Sequence, residues 1–517
     1  PQPSPWPARL ARWGPAIGVL ALHLGCLPGY GVFRDELYYI ACAHRPDLGY
    51  VDHPPLVAWI AWLALRLAAP SYLALRVVSA LAAAGTVWLA GDLAEHLGGR
   101  SFARALAGLA TGLAPVAVAL ASIYSMNPID LLIWALLSAI VARLLTGGDP
   151  RLWLGFGALA GLGLLNKISV LYLGFAVLVG LALARRDLLR TRWPYLGGAV
   201  ALALFAPHLL WQRAHAWPTL EFMANARAEK MAPLSPLQFL GAAIEQTGPM
   251  AWLWIWGALW LLFAPVAARV RPLGITFAVV LAVLVVGGGK PYYLAAAYTM
   301  VFAAGAVALE RTLENRRPIW RALILALVIA LGLGVAPLAR PVLPVEQYVH
   351  YAAMLGQRPG TDERQELGRL PQFYADMHGW RALAEAVADV ADRLPASERA
   401  RVCVFAQNYG EAGALEYFAA ELDLRQRARA DVVGHRLELA AEVVGGVRVG
   451  REPAGPPDPD GVVLAEHGLE RADEAAGGAV PGGRAVRLLL RRHRQAVGDH
   501  EQVMGSGHLM TVDAPRT

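Results

Sequence analysis

The stretch GYGVFRDELYYIACAHRPDLGYVDHPPL, residues 29–56, places a group of charged side chains directly after the first apolar segment of the chain. It contains Arg34, Asp35, Glu36, Asp52 and His53. Most of the other residues up to position 340 are hydrophobic. Ionisable groups beside a hydrocarbon layer are costly and usually serve a function. We therefore expect this loop to contribute to a site.

The sequence around this loop predicts a mainly α, polytopic membrane protein. Of its 517 residues, 56% are hydrophobic and 17% are charged. Between residues 14 and 338 the apolar residues form runs of roughly 17–22, the length that crosses a hydrocarbon core. This gives about 11 transmembrane helices, and the shorter run 56–69 is typical of an interfacial helix. The predicted spans are 13–32, 71–91, 104–121, 129–146, 151–166, 168–184, 194–211, 249–267, 272–288, 291–309 and 318–338.

The arginines indicate how the spans are oriented. Clusters of arginine fall on alternate loops, which predicts a cytoplasmic N-terminus by the positive-inside rule. The exceptions are Arg34, Arg45, Arg213 and Arg227. The net charge of +6 is therefore explained by arginines in the predicted cytoplasmic loops, next to membrane lipid. We expect no nucleic-acid partner. Cys26, Cys42 and Cys403 have neither a disulfide pattern nor metal-like spacing.

Composition divides the chain into three regions. Residues 1–338 form the predicted transmembrane domain, with the charged external loop at 33–70. Residues 339–420 predict a small α/β domain outside the membrane, with an amphipathic helix at 380–394 and a strand at 401–406. Residues 421–517 contain no aromatic residue, so this atypical tail is either disordered or translated from a shifted reading frame.

Asp35 and Glu36 are the first catalytic candidates. Adjacent residues of a helix point about 100° apart, so only one of the two is expected to face a reacting centre. Asp35 could act as general base on an acceptor hydroxyl. Helix N-terminal charge is the structural alternative, and Glu36 could serve a metal, a helix end or as a second base.

Asp52, His53 and Asp130 are the other acidic and imidazole candidates. Asp52 and His53 precede two prolines in a turn, where His53 could bind phosphate, a metal or the acceptor. Asp130 follows Asn127 and Pro128 at the start of a predicted span. Asp, Glu and His together could hold a divalent ion, but their spacing matches no recognised metal signature. No other cofactor is indicated.

Cationic candidates for a phosphate are Arg34, Lys167 and Lys290. The chain has three lysines, Lys167, Lys230 and Lys290, and all map to the predicted external face, either by chance or to contact an anionic substrate. In the run 287–293, GGGKPYY, backbone N–H groups, Lys290, Tyr292 and Tyr293 could form an anion site. A tight loop with interfacial tyrosines is the alternative.

The external placement of these residues favours one donor chemistry. Nucleotide sugars and ATP are cytosolic, so an external transferase needs a donor that has already crossed, such as a lipid-phosphate-linked group. Asp35 would activate a hydroxyl while cations bind the phosphate leaving group, giving inversion at the sugar carbon. A flippase or transporter of a lipid-linked sugar and a non-catalytic envelope assembly protein remain alternatives.

The motifs RDELYY, DHPPL, SMNPID, LGLLNK, WQ…WPTLEF, GKPYYLAAAY and NYGEAGAL lie in this order between residues 29 and 418. This series resembles bacterial membrane glycosyltransferases of the protein-mannosyltransferase and aminoarabinose-transferase superfamily (glycosyltransferase family 39-like). The resemblance implies the C-type glycosyltransferase fold, a polyprenyl-phosphate sugar donor and an essential acid at Asp35 with Glu36. It also implies a bacterial inner-membrane location, periplasmic chemistry, a soluble periplasmic domain, and an acceptor such as lipopolysaccharide, another envelope glycolipid or a protein hydroxyl.

Overall fold

The structure is a computed structural model, and it is mainly α-helical, as predicted. It describes residues 5–68, 71–226, 234–359, 368–393, 395, 403–404, 406, 408–422 and 462–463. Lys230 and nearly all of the predicted tail, 421–517, lie outside the described residues.

The first helices run from the N-terminus to the middle of the chain. They are α1 Pro5–Gly25, α2 Arg34–His44, α3 Leu56–Leu67, α4 Tyr72–His96, α5 Ser101–Leu113, α6 Pro115–Ala121, α7 Met126–Leu145, α8 Leu152–Asn166, α9 Val170–Ala184 and α10 Trp193–Ala214.

The remaining elements include two short strands. They are α11 Pro218–Asn225, α12 Pro236–Thr247, α13 Ala251–Phe263, α14 Arg271–Gly287, α15 Tyr298–Thr312, α16 Pro318–Ala339, α17 Val345–Met354, α18 Gln372–Ala375, α19 Trp380–Arg393, β1 Cys403–Val404, α20 Tyr409–Phe418 and β2 Val462–Val463. Single 3₁₀ turns occur at Arg186–Arg190, Gly248–Met250, Pro265–Val270 and Pro291–Ala297.

The chain forms two compact units. The first contains α1, α3–α10 and α12–α16, and the second contains α2, α11 and α17–α20 with the two strands. The boundary at Pro344 lies close to the predicted one at residue 338. The predicted external loop 33–70 is divided, however, because residues 30–45 belong to the second unit whereas α3 belongs to the first. The three predicted domains stay a prediction.

The first unit carries the membrane-spanning helices. Within the described residues, six helices are long and apolar enough to cross a bilayer, and a seventh span is formed if α5 and α6 count as one. The sequence predicted a single span at 104–121, but the chain bends by 62° between α5 and α6. Pro115 explains the break, since it cannot donate a helical hydrogen bond and disfavours helix at the residue before it. The total of about 11 spans stays a prediction.

Glycines bring two pairs of these helices into close contact. A Cβ on Gly157 of α8 would overlap the Gly197 carbonyl group of α10, and a Cβ on Gly257 of α13 would overlap the Val301 carbonyl oxygen of α15. In the second pair, a Cβ on Gly305 would in turn overlap the Leu253 carbonyl. Small residues let the two helix backbones approach closely. Inside lipid, where the hydrophobic effect does not drive helices together, the van der Waals contacts made at this short distance stabilise the helix pair.

The second unit contains the elements predicted for residues 380–418. The amphipathic pattern at 380–394 forms α19. Within the predicted strand 401–406, β1 pairs in parallel with β2. α19 packs on α20 through Ala384, Ala388 and Leu415. A folded α/β domain outside the membrane stays a prediction.

Replacing Gly257 by Ala should destabilise the first unit. The added methyl group meets backbone atoms of α15, which cannot rotate away, so α13 and α15 must separate. Overpacking of this kind costs about 1–3 kcal/mol. We expect a lower thermal unfolding midpoint in detergent, measured by tryptophan fluorescence.

Gly174→Ala is the matched control for Gly257→Ala. Gly174 lies in α9 with no atom within 4 Å of its Cβ position, so the same change should leave the midpoint unchanged or raise it. An equal midpoint for the two variants would contradict the role assigned to close α13–α15 packing.

Candidate functional site

The two adjacent acids of α2 have different environments. The side chain of Asp35 is 32% exposed, whereas Glu36 is fully buried. A Glu36 carboxylate oxygen accepts a hydrogen bond from the Phe33 N–H group at 2.8 Å. Glu36 therefore satisfies one of the N–H groups at the start of its own helix, which leaves Asp35 as the acid accessible to a reactant.

Asp35 is held by two donors from the second unit. The Tyr409 hydroxyl donates to Asp35 Oδ1 at 2.9 Å, and Arg34 Nε lies 3.4 Å from the same oxygen. Arg34 also pairs with Asp376 at 3.2 Å, and its guanidinium lies 5.4 Å from the Tyr409 ring centroid. Arg34 was predicted to bind phosphate, but its charge is already shared between two carboxylates.

The motif 408–415, NYGEAGAL, explains why Tyr409 reaches Asp35. The Asn408 side chain accepts from the N–H groups of Gly410 and Glu411 at 2.9 and 3.0 Å, which starts α20. A Cβ on Gly410 would lie 2.6 Å from Arg34 Cγ, and one on Gly413 would lie 3.0 Å from backbone and side-chain atoms of Leu37. Two glycines one turn apart thus let α20 lie directly on α2. The sequence contained the motif, but we assigned no site role to Tyr409.

A second attachment joins α2 to α20 at their other ends. Arg45 donates to both oxygens of Glu416 at 3.1 and 2.9 Å, and His44 Nδ1 lies 3.2 Å from the same carboxylate. Burial alone would raise the pKa of Glu416, but the hydrogen bonds from His44 and Arg45 lower it below its usual value. Glu416 is therefore held in its charged form.

In the first unit, Asp52 and His53 lie in an enclosed turn. The His53 ring is fully buried and stacks on Tyr50 with centroids 4.8 Å apart. His53 Nδ1 lies 2.8 Å from the Pro54 carbonyl oxygen, so this nitrogen carries a proton and donates it. His53 Nε2 lies 3.9 Å from Asp52 Oδ1. This imidazole is fixed in one orientation by its own turn.

Residues of α10 anchor the chain just before this turn, and one of them, His208, was not among the predicted site residues. His208 Nδ1 lies 3.0 Å from the Leu48 carbonyl oxygen. A Cβ on Gly49 would overlap the Trp211 ring and lie 2.8 Å from His208 Nδ1. Gly49 is therefore required for contact between this loop and α10.

Three separate motifs converge at Lys167. Its Nζ donates to Asn127 Oδ1 at 2.8 Å and lies 3.8 Å from Asp130 Oδ2. It also lies 4.8 Å from the ring centroid of Tyr293. Asp130 is buried and accepts a hydrogen bond from Ser169 at 2.8 Å. SMNPID, LGLLNK and GKPYY thus supply one cluster, in which Lys167 is partly exposed.

The glycine turn before Lys290 differs from the prediction. The N–H groups of Gly288 and Gly289 donate to the carbonyls of Val285 and Leu284, at 3.4 and 2.8 Å. They close the C-terminal end of α14, where carbonyl groups lack helical partners. The expectation that these amides bind an anion is therefore wrong. Lys290 is partly exposed, and Tyr292 packs edge-on against Tyr293 at 4.7 Å.

The chain is similar to known proteins both in sequence and in structure. A family model described as dolichyl-phosphate-mannose-protein mannosyltransferase matches residues 52–211. The chain is similar to the crystal structure of ArnT from Cupriavidus metallidurans bound to undecaprenyl phosphate, with a TM-score of 0.54, 17% identity, and coverage of 80% of this chain and 87% of that one. The apo state of the same protein gives a TM-score of 0.50, 17% identity, and coverage of 83% and 76%.

The chain has the C-type glycosyltransferase fold. This confirms the fold that the resemblance in the motifs implied. Among curated protein sequences, no match was found. The segment that matches the family model, residues 52–211, contains Asp52, His53, Asp130 and Lys167, whereas Asp35 lies outside it.

The acidic and histidine residues of the predicted site were expected to be able to hold a divalent ion. Among the described residues, no group of three or more His, Cys, Asp or Glu side chains is arranged to hold a metal ion. Asp52 Oδ1 lies 3.9 Å from His53 Nε2. Glu36 is engaged at a helix end.

The attachment of α20 to α2 should weaken in acid. Because folding lowers the pKa of Glu416, its contribution to stability is complete above the unfolded pKa of about 4.5 and is lost as pH falls through the lowered folded value. We expect amide exchange in α20 to speed up over that acidic range. In Glu416→Gln it should be fast already at pH 7 and should vary less with pH.

Asp389→Asn, at an exposed acid of α19, is the control for Glu416→Gln. It should retain the wild-type exchange rates and their dependence on pH. Wild-type protection of α20 in Glu416→Gln at pH 7 would show that this carboxylate does not hold the helix.

Proposed function

We propose that the protein is an integral membrane glycosyltransferase that moves a sugar from a polyprenyl-phosphate donor to a hydroxyl of a cell-envelope acceptor. The acceptor would be lipopolysaccharide, another glycolipid or a protein, on the periplasmic side of the bacterial inner membrane. One observation carries the proposal. Asp35 is a partly exposed carboxylate held by Tyr409 and Arg34, while its neighbour Glu36 is buried at a helix end.

The comparisons support the choice of donor class. One similar structure is that of ArnT bound to undecaprenyl phosphate, and the matching family model describes transferases that use dolichyl-phosphate-mannose. A polyprenyl phosphate is therefore the lipid carrier that we propose for this chain. It lies in the membrane, where the apolar helices of the first unit also lie.

In the proposed reaction Asp35 is the general base. It accepts the proton of the acceptor hydroxyl while the acceptor oxygen forms a bond to the anomeric carbon. The bond between that carbon and the phosphate oxygen breaks, and polyprenyl phosphate leaves with the bonding electrons. A single displacement of this kind inverts the anomeric centre. The hydrogen bond from Tyr409 and the contact with Arg34 fix the orientation of Asp35.

Lys167 is the cation proposed for the donor phosphate. Asn127 and Asp130 hold its ammonium group in place, so little side-chain entropy remains to be lost on binding. The negative charge on the phosphate oxygens grows as the carbon–oxygen bond breaks, and a fixed cation stabilises that change. Lys290, with Tyr292 and Tyr293, is proposed to lie along the same phosphate. Asp52 and His53 are proposed to contact donor or acceptor.

Replacement of Asp35 by Asn tests the assignment of the base. The amide cannot accept a proton from the acceptor at neutral pH, so transfer should be abolished while the protein remains folded. Loss of a general base lowers rates by about 10²–10⁴-fold. Purified protein is incubated with polyprenyl-phosphate sugars and an envelope glycolipid extract, and released polyprenyl phosphate is measured.

Asp47→Asn is the control, because Asp47 is an exposed acid that follows α2. It should turn over at the wild-type rate. Wild-type turnover in Asp35→Asn would reject Asp35 as the base. If the wild-type protein released no polyprenyl phosphate from any donor but moved lipid-linked sugar across vesicles, a flippase would replace the transferase.

Replacement of Lys167 by Met tests the phosphate contact. A hydrogen bond to a charged group contributes about 1.5–3 kcal/mol, so kcat/KM for the donor should fall roughly 10- to 150-fold. The KM for the acceptor should change little. Lys167→Arg keeps the charge and should recover part of the lost activity.

The thermal unfolding midpoint of the Lys167 variants must be measured as well, because Asp130 loses its cationic neighbour in Lys167→Met. A stable Lys167→Met protein with an unchanged kcat/KM for the donor would reject Lys167 as the phosphate contact.

A further inference from the structure

The far end of α7 carries a cluster of arginines that the proposed reaction does not use. Asp130 lies near the start of α7 and Leu145 ends it, a separation of about 22 Å at 1.5 Å per residue. The Leu145 carbonyl oxygen accepts hydrogen bonds from Arg185 Nη1 at 3.2 Å and from Arg269 Nε at 2.8 Å. Two guanidinium groups from different segments therefore meet at one atom.

The charges of this cluster are only partly neutralised. Arg185 makes two hydrogen bonds to Asp187, at 2.9 and 2.7 Å. Arg269 is exposed, and no carboxylate within the described residues pairs with it. Arg271 follows two positions later, and its buried Nε has no hydrogen-bond partner in the described part of the chain. A guanidinium has five N–H donors, so binding the Leu145 carbonyl leaves most of those on Arg269 unused.

More cations lie along the same helix ends. Arg186 follows Arg185 directly and is exposed. Arg151, at the start of α8, and Arg192, at the start of α10, lie 5.9 and 4.9 Å from the ring centroid of Trp193. Tryptophan is enriched at the level of lipid headgroups. The arginines thus occur where phospholipid phosphates are found.

An apolar stripe leads along α9 to these arginines. Leu171, Phe175 and Leu178 are all more than half exposed, at 56%, 54% and 53%. Their spacing of four and three places them on one face of the helix. Arg185 directly follows the last residue of α9, and Arg186 begins the next 3₁₀ turn, so the stripe leads along the chain to both arginines. A ligand at this surface would meet aliphatic side chains first and cations at the end.

We propose that this surface, defined by Arg185, Arg186, Arg269, Arg271 and the α9 stripe, binds an anionic phospholipid. The acyl chains lie along α9 and the phosphate is bound by the arginines, Arg269 above all. Hydrogen bonding to the C-terminal carbonyl of α7 uses one nitrogen of Arg185 and one of Arg269. It does not explain why further positive charge and an apolar stripe lie beside these two arginines. This inference does not depend on the transferase activity.

Native mass spectrometry of the full-length, delipidated protein tests the site. Phosphatidylglycerol or cardiolipin is added and compared with phosphatidylcholine. We expect the anionic lipids to bind more tightly, and Arg269→Gln and Arg271→Gln each to weaken that binding about fivefold, the effect of one cation near a lipid surface. Arg316→Gln, at an exposed arginine after α15, should have no effect.

Further variants separate charge from helix capping. Arg269→Lys keeps the charge while changing the hydrogen bond to Leu145, so it should retain the preference for anionic lipid. If Arg269→Gln does not fold, Arg269→Lys and Arg186→Gln together still decide the question. Lipid preference lost in Arg269→Lys, or retained in Arg186→Gln and Arg271→Gln, would overturn the proposal.

The source of the phosphate is tested by competition. Glycerol phosphate, which has no acyl chains, should not displace bound phosphatidylglycerol at equal concentration. Equal competition would show a site for small phosphate compounds and reject the lipid. Equal binding of phosphatidylcholine and phosphatidylglycerol would reject the role of the arginines.

Discussion

A charged side chain beside a hydrocarbon layer is stable only with a partner or at a helix end, and the first unit depends on this constraint. Asp130 is buried beside Ser169 and Lys167. Arg340 is buried and donates to the carbonyl oxygens of His23, in the last turn of α1, and of Cys26, just after it. Arg76 donates to the carbonyl oxygens of Leu27 and Pro28. The carboxylate thus has donors beside it, and the two arginines donate to carbonyl oxygens near the end of α1.

In the second unit, helix packing leaves the Asp35 carboxylate partly exposed while a hydrogen bond fixes its position. α2 lies early in the sequence but packs on α20 near residue 410, through Gly410 and Gly413. That contact brings the Tyr409 hydroxyl to Asp35 and leaves Glu36 inside. A base needs a fixed orientation and some access to its reactant, and Asp35, the base that we propose, is held by Tyr409 and is partly exposed. The same packing explains why the motif at 408–415 combines a helix cap, a tyrosine and two glycines.

Sequence patterns predicted the fold well because helix periodicity, apolar length and turn residues act locally. The apolar runs, the amphipathic pattern at 380–394 and the interfacial run at 56–69 all became helices. The sequence patterns gave wrong predictions at two places where proline or glycine changes the backbone geometry. Pro115 bends a run that looked continuous, and the glycines before Lys290 direct their amides to the end of α14 and not to a ligand.

The sequence by itself determined the helical membrane class, the order of the motifs and the residue types available for acid–base and phosphate chemistry. Only the tertiary structure decided which of these residues lie in contact. Asp35 and Tyr409 are 374 positions apart, and Lys167 meets side chains from two other motifs. Hydrogen bonds and burial between distant segments depend on how helices pack, so a local pattern could not show that Asp35 is accessible and Glu36 is not.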